Sequence, residues 1–455
     1  MEPVAKRRRR RRRRRSGGST STIVGEDRLG ALPDDLLHAI MSFMAAREVV
    51  RTCVLSRRWK DLWRSAPFLN LDGTEFMPLL SGSPEEWEEM DAFVTNLLRL
   101  RSRNETSVDS FRLFVDHLLG AARRKSVERW VRAAVELRPR VLEINVVTPS
   151  YPPGHDDGYT LPDLISSSAW RRLRRLHLSH AWLDSSFGEQ LGAGCPLLED
   201  LALRKCTMEP GFRRLRSDTL RTLVLHYYSG GGGGGDDDYE TTLVISAPRL
   251  ASVRVKITSY AYKNGVSFDG STADSLVEAS IRVERRRRAL PTGVEAMLLA
   301  GLVNVTTLEL KGIQAKTVLG KEFDEFPSFN NLTTLSLDCC LCDIQHTKNK
   351  FKILWRLLQK CPNLQKLTLQ RCWSIGASWE ITQDCEVPSG CQKLKLIEMK
   401  YQPYDRLRDL KEMFQLNWGF LRNLRNATVT YTEAELFPIT IIRNRNDRWT
   451  YFYID

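Results

Sequence analysis

The chain has no apolar run approaching the roughly twenty residues that a membrane span needs, and its amino terminus lacks the apolar core of a secretory signal. It is therefore expected in the nucleus or cytoplasm, with no membrane partner. Catalytic frames are missing too: there is no GxSxG, no HExxH and no kinase-like set. The seven histidines are scattered, and the one close pair, His177 and His180, would be two donors without a third, which hold metal poorly. Cys339, Cys340 and Cys342 contain a CxxC spacing with no second CxxC and no nearby histidine pair, a weak frame for zinc or redox work. The ten cysteines read as reduced thiols, several alternating with leucine in a way that favours packing. Six consecutive glycines and three aspartates lie within Ser229 to Glu240, but no Lys-Ser or Lys-Thr follows, so the stretch is a loop and not a phosphate cradle. No catalytic residue, metal or cofactor is expected, and the chain reads as a non-enzyme.

What is abundant is positive charge, in one place. Of the net +13, ten charges come from Lys6, Arg7, Arg8, Arg9, Arg10, Arg11, Arg12, Arg13, Arg14 and Arg15, so the remainder is nearly balanced at +3. Such a run repels itself and, with the Ser-Gly linker after it, is expected to be disordered over residues 1–26. A nuclear-import signal is the favoured reading, because the run carries no interleaved aromatics for nucleic acid. Smaller clusters at Arg171 to Arg175, Arg213 to Arg216 and Arg285 to Arg288 read as a solvated face, with an acidic segment or anionic ligand as the rival.

Residues 27–72 have apolar positions at helical spacing: Leu32, Leu36, Ile40 and Phe43 on one stripe, Val49, Val50, Cys53 and Val54 on a second, Trp59, Leu62 and Trp63 on a third. Three short helices of about forty-five residues cannot bury enough surface to stand alone. The Leu32-Pro33 opening, the Val-Leu-Ser-Arg-Arg-Trp run from Val54 to Trp59 and the closing Leu62-Trp63 resemble the plant form of the F-box family. That resemblance implies docking onto a Skp-type adaptor, and through it a cullin scaffold. The adaptor-binding residues it implies are Leu32, Pro33, Leu36, Ile40, Val50, Val54, Leu55, Trp59 and Trp63, some of which must hold the helices together instead.

Beyond a connecting helical segment at 73–105, residues 106–384 repeat an apolar, two others, apolar, one other, apolar frame, much as in leucine-rich repeats. Cys195-Pro-Leu-Leu-Glu-Asp-Leu-Ala-Leu-Arg-Lys-Cys206 and Cys361-Pro-Asn-Leu-Gln-Lys-Leu-Thr-Leu-Gln-Arg-Cys372 agree at both cysteines, the proline and three leucines. Weaker copies include Val108-Phe111-Leu113, Val141-Ile144-Val146, Leu332-Leu335-Leu337 and, near the end, Leu424-Ala427-Val429. Each copy is expected to add a short strand to one parallel sheet, its leucines stacking inward and the residues between them lining a concave face. Glu86 to Leu100, Ser126 to Leu137 and Lys350 to Lys360 read as helices between strands.

Residues 385–455 resemble the FBD module of plant F-box proteins, with Cys391, Leu394, Leu396 and Ile397 fitting its first strand and Leu421, Leu424 and Val429 its close. Arg406, Arg408 and Asp409 replace its usual acidic residues, and a capping pair of repeats is the alternative. The fold expected is α/β: a short helical F-box followed by an irregular leucine-rich-repeat solenoid with a parallel sheet on its concave face. The function implied is the substrate-recognition subunit of a Skp–cullin–F-box ubiquitin ligase, holding an unknown target protein. The alternatives are a nuclear nucleic-acid-binding or scaffold protein using the polybasic arm, and an F-box protein acting outside ubiquitin transfer.

Overall fold

The computed structural model describes residues 29–77, 83–103, 108–116, 120–147, 158–209, 211–227, 242–258, 265–284, 298–312, 318, 323, 328–338, 347–370, 393–401, 428–433, 439–443 and 449–453. The polybasic run, the Gly/Asp stretch and the CxxC lie outside them.

Three short helices come first: α1 (Asp34–Met41), α2 (Ala46–Arg51) and α3 (Trp59–Ser65). Pro33 precedes α1, and Asp34 and Asp35 in its first turn complement the helix dipole. Strand β1 (Phe68–Asp72) follows directly, then α4 (Pro84–Ser102). The start of α4 is a reciprocal capping box: Glu86 N donates to Ser83 Oγ at 3.2 Å and Ser83 N donates to Glu86 Oε2 at 2.9 Å. With Pro84 in the first turn, this extends the helix two residues ahead of the expected Glu86.

The remaining order is β2 (Ser110–Val115), α5 (Gly120–Glu136), β3 (Val141–Val146), β4 (Tyr159–Thr160), β5 (Arg175–Ser179), β6 (Ala181–Leu183), α6 (Phe187–Gly194) and β7 (Asp200–Met208). Next come β8 (Arg214–Arg216), β9 (Thr222–Tyr227), β10 (Leu243–Ser246), β11 (Ser252–Thr258), β12 (Val266–Phe268), α7 (Gly270–Ser275) and β13 (Glu278–Glu284). The chain closes with β14 (Thr307–Lys311), β15 (Thr334–Asp338), α8 (Thr347–Gln359), β16 (Lys366–Gln370), β17 (Leu396–Tyr401), β18 (Thr428–Glu433), β19 (Ile439–Arg443) and β20 (Trp449–Tyr453).

One parallel sheet runs through β1-β2-β3-β5-β7-β9-β11-β13-β14-β15-β16-β17-β18, while β19 and β20 pair antiparallel apart from it. Apart from a shift between Arg204 and Cys206 where β7 pairs with β9, the register is regular, so apolar side chains form two columns. Leu69, Phe111, Leu142, Leu176, Leu201 and Leu223 begin one, and Leu71, Leu113, Ile144, Leu178, Leu203 and Leu225 begin the other. Far along the sheet the same columns hold Leu335 beside Leu367 and Leu337 beside Leu369. Each such leucine, being fully buried, contributes about 1.5–3 kcal/mol. The side chains between them face outward, as the two-residue period of a strand requires.

The ladder runs across several expected boundaries. It begins at Phe68, inside 27–72, because Leu69 and Leu71 already stack on Phe111 and Leu113. The segment at 73–105 is no mere connector: Met90, Val94, Leu97 and Leu98 of α4 are buried in the same core. It also continues through β17 and β18, within 385–455. Two repeat frames slip by two residues. Leu142 and Ile144, and not Ile144 and Val146, align with Leu176 and Leu178, and Val429 and Tyr431 align with Ile397 and Met399. An even slip keeps the inward face, which is why composition could not detect it.

The outer layer is helical at both ends but not throughout. In the middle, β8, β10 and β12 form a small parallel sheet of their own, which the expectation of outer helices missed. Gly188 of α6 is required there, since a Cβ would come within 2.0 Å of the Arg214 carbonyl oxygen. On α8, Leu354 and Leu358 are buried. Asparagines tie neighbouring turns: Asn331 Nδ2 donates to Asn304 O at 3.4 Å and Asn363 Nδ2 to Asn330 O at 2.7 Å.

Of the repeat cysteines, Cys195, Cys206 and Cys361 are buried, as expected, and Cys372 lies outside the described residues. Burial pushes the thiols of Cys195 and Cys206 up to about 12, so neither is a thiolate near neutral pH. A thiol reagent at pH 8 is accordingly expected to leave both unmodified in the folded chain and to label them in denaturant, as mass spectrometry of the digested product would read. Labelling of either in the native state would contradict the packing.

Candidate docking surfaces

The F-box helices sort the expected adaptor residues by burial. Trp59 and Trp63 are only 5% and 7% exposed and pack with Leu37, Met41 and Leu62, so they hold the helices together and offer no surface. Leu32 and Val50 are half-buried against the same core, and Pro33 is exposed. Leu36, Ile40, Val54 and Leu55 are exposed, and so is Phe43, in the turn that follows α1 and 91% accessible. Phe43 was visible in the helical stripe yet was not among the expected adaptor residues, because spacing says which residues share a face and not whether that face is covered. Leu29 is exposed as well. Among the described residues, only Ile165, Leu197 and Val277 elsewhere are large apolar side chains exposed to a like degree, and they are scattered. A concentration of this kind marks a protein interface.

Arg58, from the Ser-Arg-Arg-Trp run, explains that motif. Its guanidinium donates to Gly30 O and Leu32 O, both at 2.6 Å, and to the Asp34 carboxylate. It thereby clamps the segment after Val54 and Leu55 against the start of α1. His38 closes the opposite side, its Nε2 3.1 Å from Leu62 O.

Three polar side chains fix the F-box to the solenoid. Arg101 of α4 is buried and donates to Trp63 O at 3.2 Å, to Ala66 O at 2.7 Å and to Arg64 O, capturing carbonyls that α3 leaves unpaired at its end. Burial lowers its pKa to about 10, which still leaves it charged at neutral pH. Asn70, facing outward from β1, donates to Ser42 O at 2.8 Å. Arg47 donates to Glu75 O at 2.9 Å and lies 4.6 Å from the centre of the Phe76 ring. The F-box therefore covers the outward side of the first strand.

Residues 29–71 match the F-box domain family. Over 421 residues the chain is 30% identical to the MEIOTIC F-BOX protein MOF of Oryza sativa subsp. japonica, covering 85% of this chain and 83% of that protein. The chain belongs to the plant F-box/leucine-rich-repeat proteins. An F-box/FBD/LRR-repeat protein of Arabidopsis thaliana is 26% identical over 447 residues, 90% of this chain and 92% of its own length. An FBD-associated F-box protein of the same species is 26% identical over 365 residues, 75% and 76% of the two chains. All three relatives carry the F-box name, the two from Arabidopsis thaliana add FBD and one of them the repeats, and the resemblance of the carboxy-terminal region to an FBD module agrees with them.

The outward face of the F-box/leucine-rich-repeat sheet is the second surface. Its first part is internally balanced: Arg112 Nε lies 2.9 Å from Glu143 Oε2, Arg175 Nε 2.9 Å from Asp200 Oδ2, and His177 Nε2 3.2 Å from Asp200 Oδ1. Burial alone would raise the Asp200 carboxyl, but the His177 and Arg175 contacts outweigh it and hold the group below its ordinary range. Among the described residues, no cluster of three or more His, Cys, Asp or Glu is placed to bind metal. No described helix is long and apolar enough to cross a membrane.

Proposed function

We propose that this chain is the substrate-recognition subunit of a Skp–cullin–F-box ubiquitin ligase. The exposed apolar group formed by Leu36, Ile40, Phe43, Val54 and Leu55 carries the reading, because a surface of that composition is what an adaptor would cover. In this role the chain makes no bond itself. It holds a target near a charged ubiquitin-conjugating enzyme, raising the effective concentration of the target lysine, so its contribution is proximity. The cullin is reached only through the adaptor, and the target is held by the outward face of the solenoid. The run from Lys6 to Arg15 serves nuclear import.

Co-purification from plant cell extract tests this. The intact chain and a chain lacking residues 1–20 are both expected to retrieve the Skp-type adaptor. A nucleic-acid-binding protein would instead show strongly salt-dependent nucleic-acid binding that vanishes with the deletion. Absence of the adaptor from both preparations would refute the ligase reading.

A further inference from the structure

Only Ala66 and Pro67 separate the end of α3 from the start of β1. So short a linker joins the F-box to the solenoid but does not set the angle between them, since two bodies tied at one point can still swing. The joint is held in three separate segments of the F-box. Arg101 of α4 donates to Trp63 O, Arg64 O and Ala66 O at the end of α3. Asn70 of β1 reaches the turn between α1 and α2, where its Nδ2 donates to Ser42 O at 2.8 Å and to Met44 O at 3.4 Å. Arg47, in the first turn of α2, runs the other way: it donates to Glu75 O at 2.9 Å and to the Glu89 carboxylate of α4, and its guanidinium lies over the Phe76 ring. Beneath these contacts the apolar core is continuous, with Trp63 and Ala66 in one cluster with Leu69 and Leu71.

Asn70 carries a second sign of its role. Its Oδ1 is buried and accepts no hydrogen bond among the described residues. An unpaired buried acceptor destabilises the folded chain, so the side chain is accounted for by what its amide donates to the F-box. The grip also lies at the end of the outward face, because Asn70 stands directly beside the exposed Arg112 of β2. For Arg47, the pair with Glu89 adds little, since that carboxylate is 57% exposed; the bond to Glu75 O and the ring contact fix the side chain.

We propose that Asn70 and Arg47 are positioning residues of the ligase: by fixing the angle between the adaptor surface and the outward face, they decide which lysines come within reach of the ubiquitin-conjugating enzyme. The inference rests on the ligase reading. A chain that contributes proximity contributes it only while the two surfaces keep one geometry, because the effective concentration at a given lysine falls when the held body samples many orientations. Arg101 secures the same joint, but it is fully buried and its loss would lower stability. Asn70 and Arg47 are half-buried, so their removal separates position from folding.

The test uses the full chain with its adaptor, a cullin scaffold and a ubiquitin-conjugating enzyme, and takes the solenoid's own lysines as acceptors. Asn70→Ala with Arg47→Ala is expected to change adaptor affinity by less than about twofold. Total conjugation should fall by about threefold and spread to lysines that stay unmodified in the intact chain, as mass spectrometry of the digested product would read. Small-angle scattering of the adaptor-bound chain should give a larger maximum dimension for the double variant. Arg47→Lys in place of Arg47→Ala keeps a donor for Glu75 O and should restore part of the intact pattern. Asn70→Ala alone, a milder change, should move the pattern in the same direction, so the result does not hang on the double variant's folding. Arg174→Ala removes an arginine whose partner Glu199 lies within the solenoid and is expected to alter neither readout. The intact lysine pattern in the double variant would overturn the proposal, as would the same spread in Arg174→Ala. So would an adaptor-bound intact chain that conjugates none of its lysines, the outcome for an F-box protein acting outside ubiquitin transfer. If the adaptor binds and the lysine pattern does not move, this inference falls and the ligase reading stands; if the intact chain captures no adaptor, the ligase reading falls first.

Discussion

Phe43→Asp combined with Val54→Asp is expected to abolish capture of the Skp-type adaptor while shifting the unfolding midpoint by less than about 2 °C. Both side chains are almost wholly in solvent, 91% and 83% exposed, so a charge there costs the folded chain little. The same charge, pressed into an apolar interface, would lose its hydration without a partner. Central apolar residues of an interface cost about 2–4 kcal/mol when truncated, a loss of roughly 30- to 1,000-fold in affinity. Trp59→Ala is a poor substitute for this test. Trp59 is buried in the F-box core, and its removal would cost about 3–5 kcal/mol of stability, so lost binding would report unfolding. Calorimetry alongside the co-purification distinguishes the cases. Undiminished adaptor capture by the folded double variant would remove these residues from the interface.

Arg101→Ala is the second large effect, and it acts on stability. The substitution empties a buried volume and strips donors from Trp63 O, Arg64 O and Ala66 O. Orphaned buried acceptors cost about 1–3 kcal/mol each when no water replaces the donor, so a total of roughly 3 kcal/mol is a moderate expectation. Arg101→Lys should recover only part of it, because one ammonium cannot reproduce the spread of a guanidinium fork. In a repeat architecture such damage stays local. Hydrogen exchange should therefore accelerate in Trp59–Ser65 and at the end of α4, and leave β14 to β16 unchanged. Uniform protection in the variant would mean that Arg101 does not secure the junction.

How much of this was legible beforehand follows from what periodicity can encode. Leu335, Leu337, Leu367 and Leu369 announced inward positions because a strand alternates every two residues, and the paired register agrees. The Cys195 and Cys361 repeats were legible for the same reason, each cysteine being buried behind its leucines. The start of the sheet at Phe68 was hidden, since Leu69 and Leu71 follow the F-box motif without a break and only their pairing with Phe111 and Leu113 assigns them to the solenoid. The short β8, β10 and β12 sheet was hidden too, because strands of three or four residues carry almost no periodic signal.

At the docking surfaces, local patterning determined the F-box, the inward columns and the isolation of charge in the first fifteen residues, all properties of neighbouring positions along the chain. It could not separate Trp59 and Trp63 from Phe43 and Val54, because burial depends on what packs from elsewhere: the tryptophans lie in the core that α1 and α3 share, while nothing among the described residues covers Phe43. Nor could it bring Arg47, Asn70 and Arg101 together, since they belong to three different elements. Only the packing of the F-box against β1 and α4 turns three scattered polar side chains into one joint.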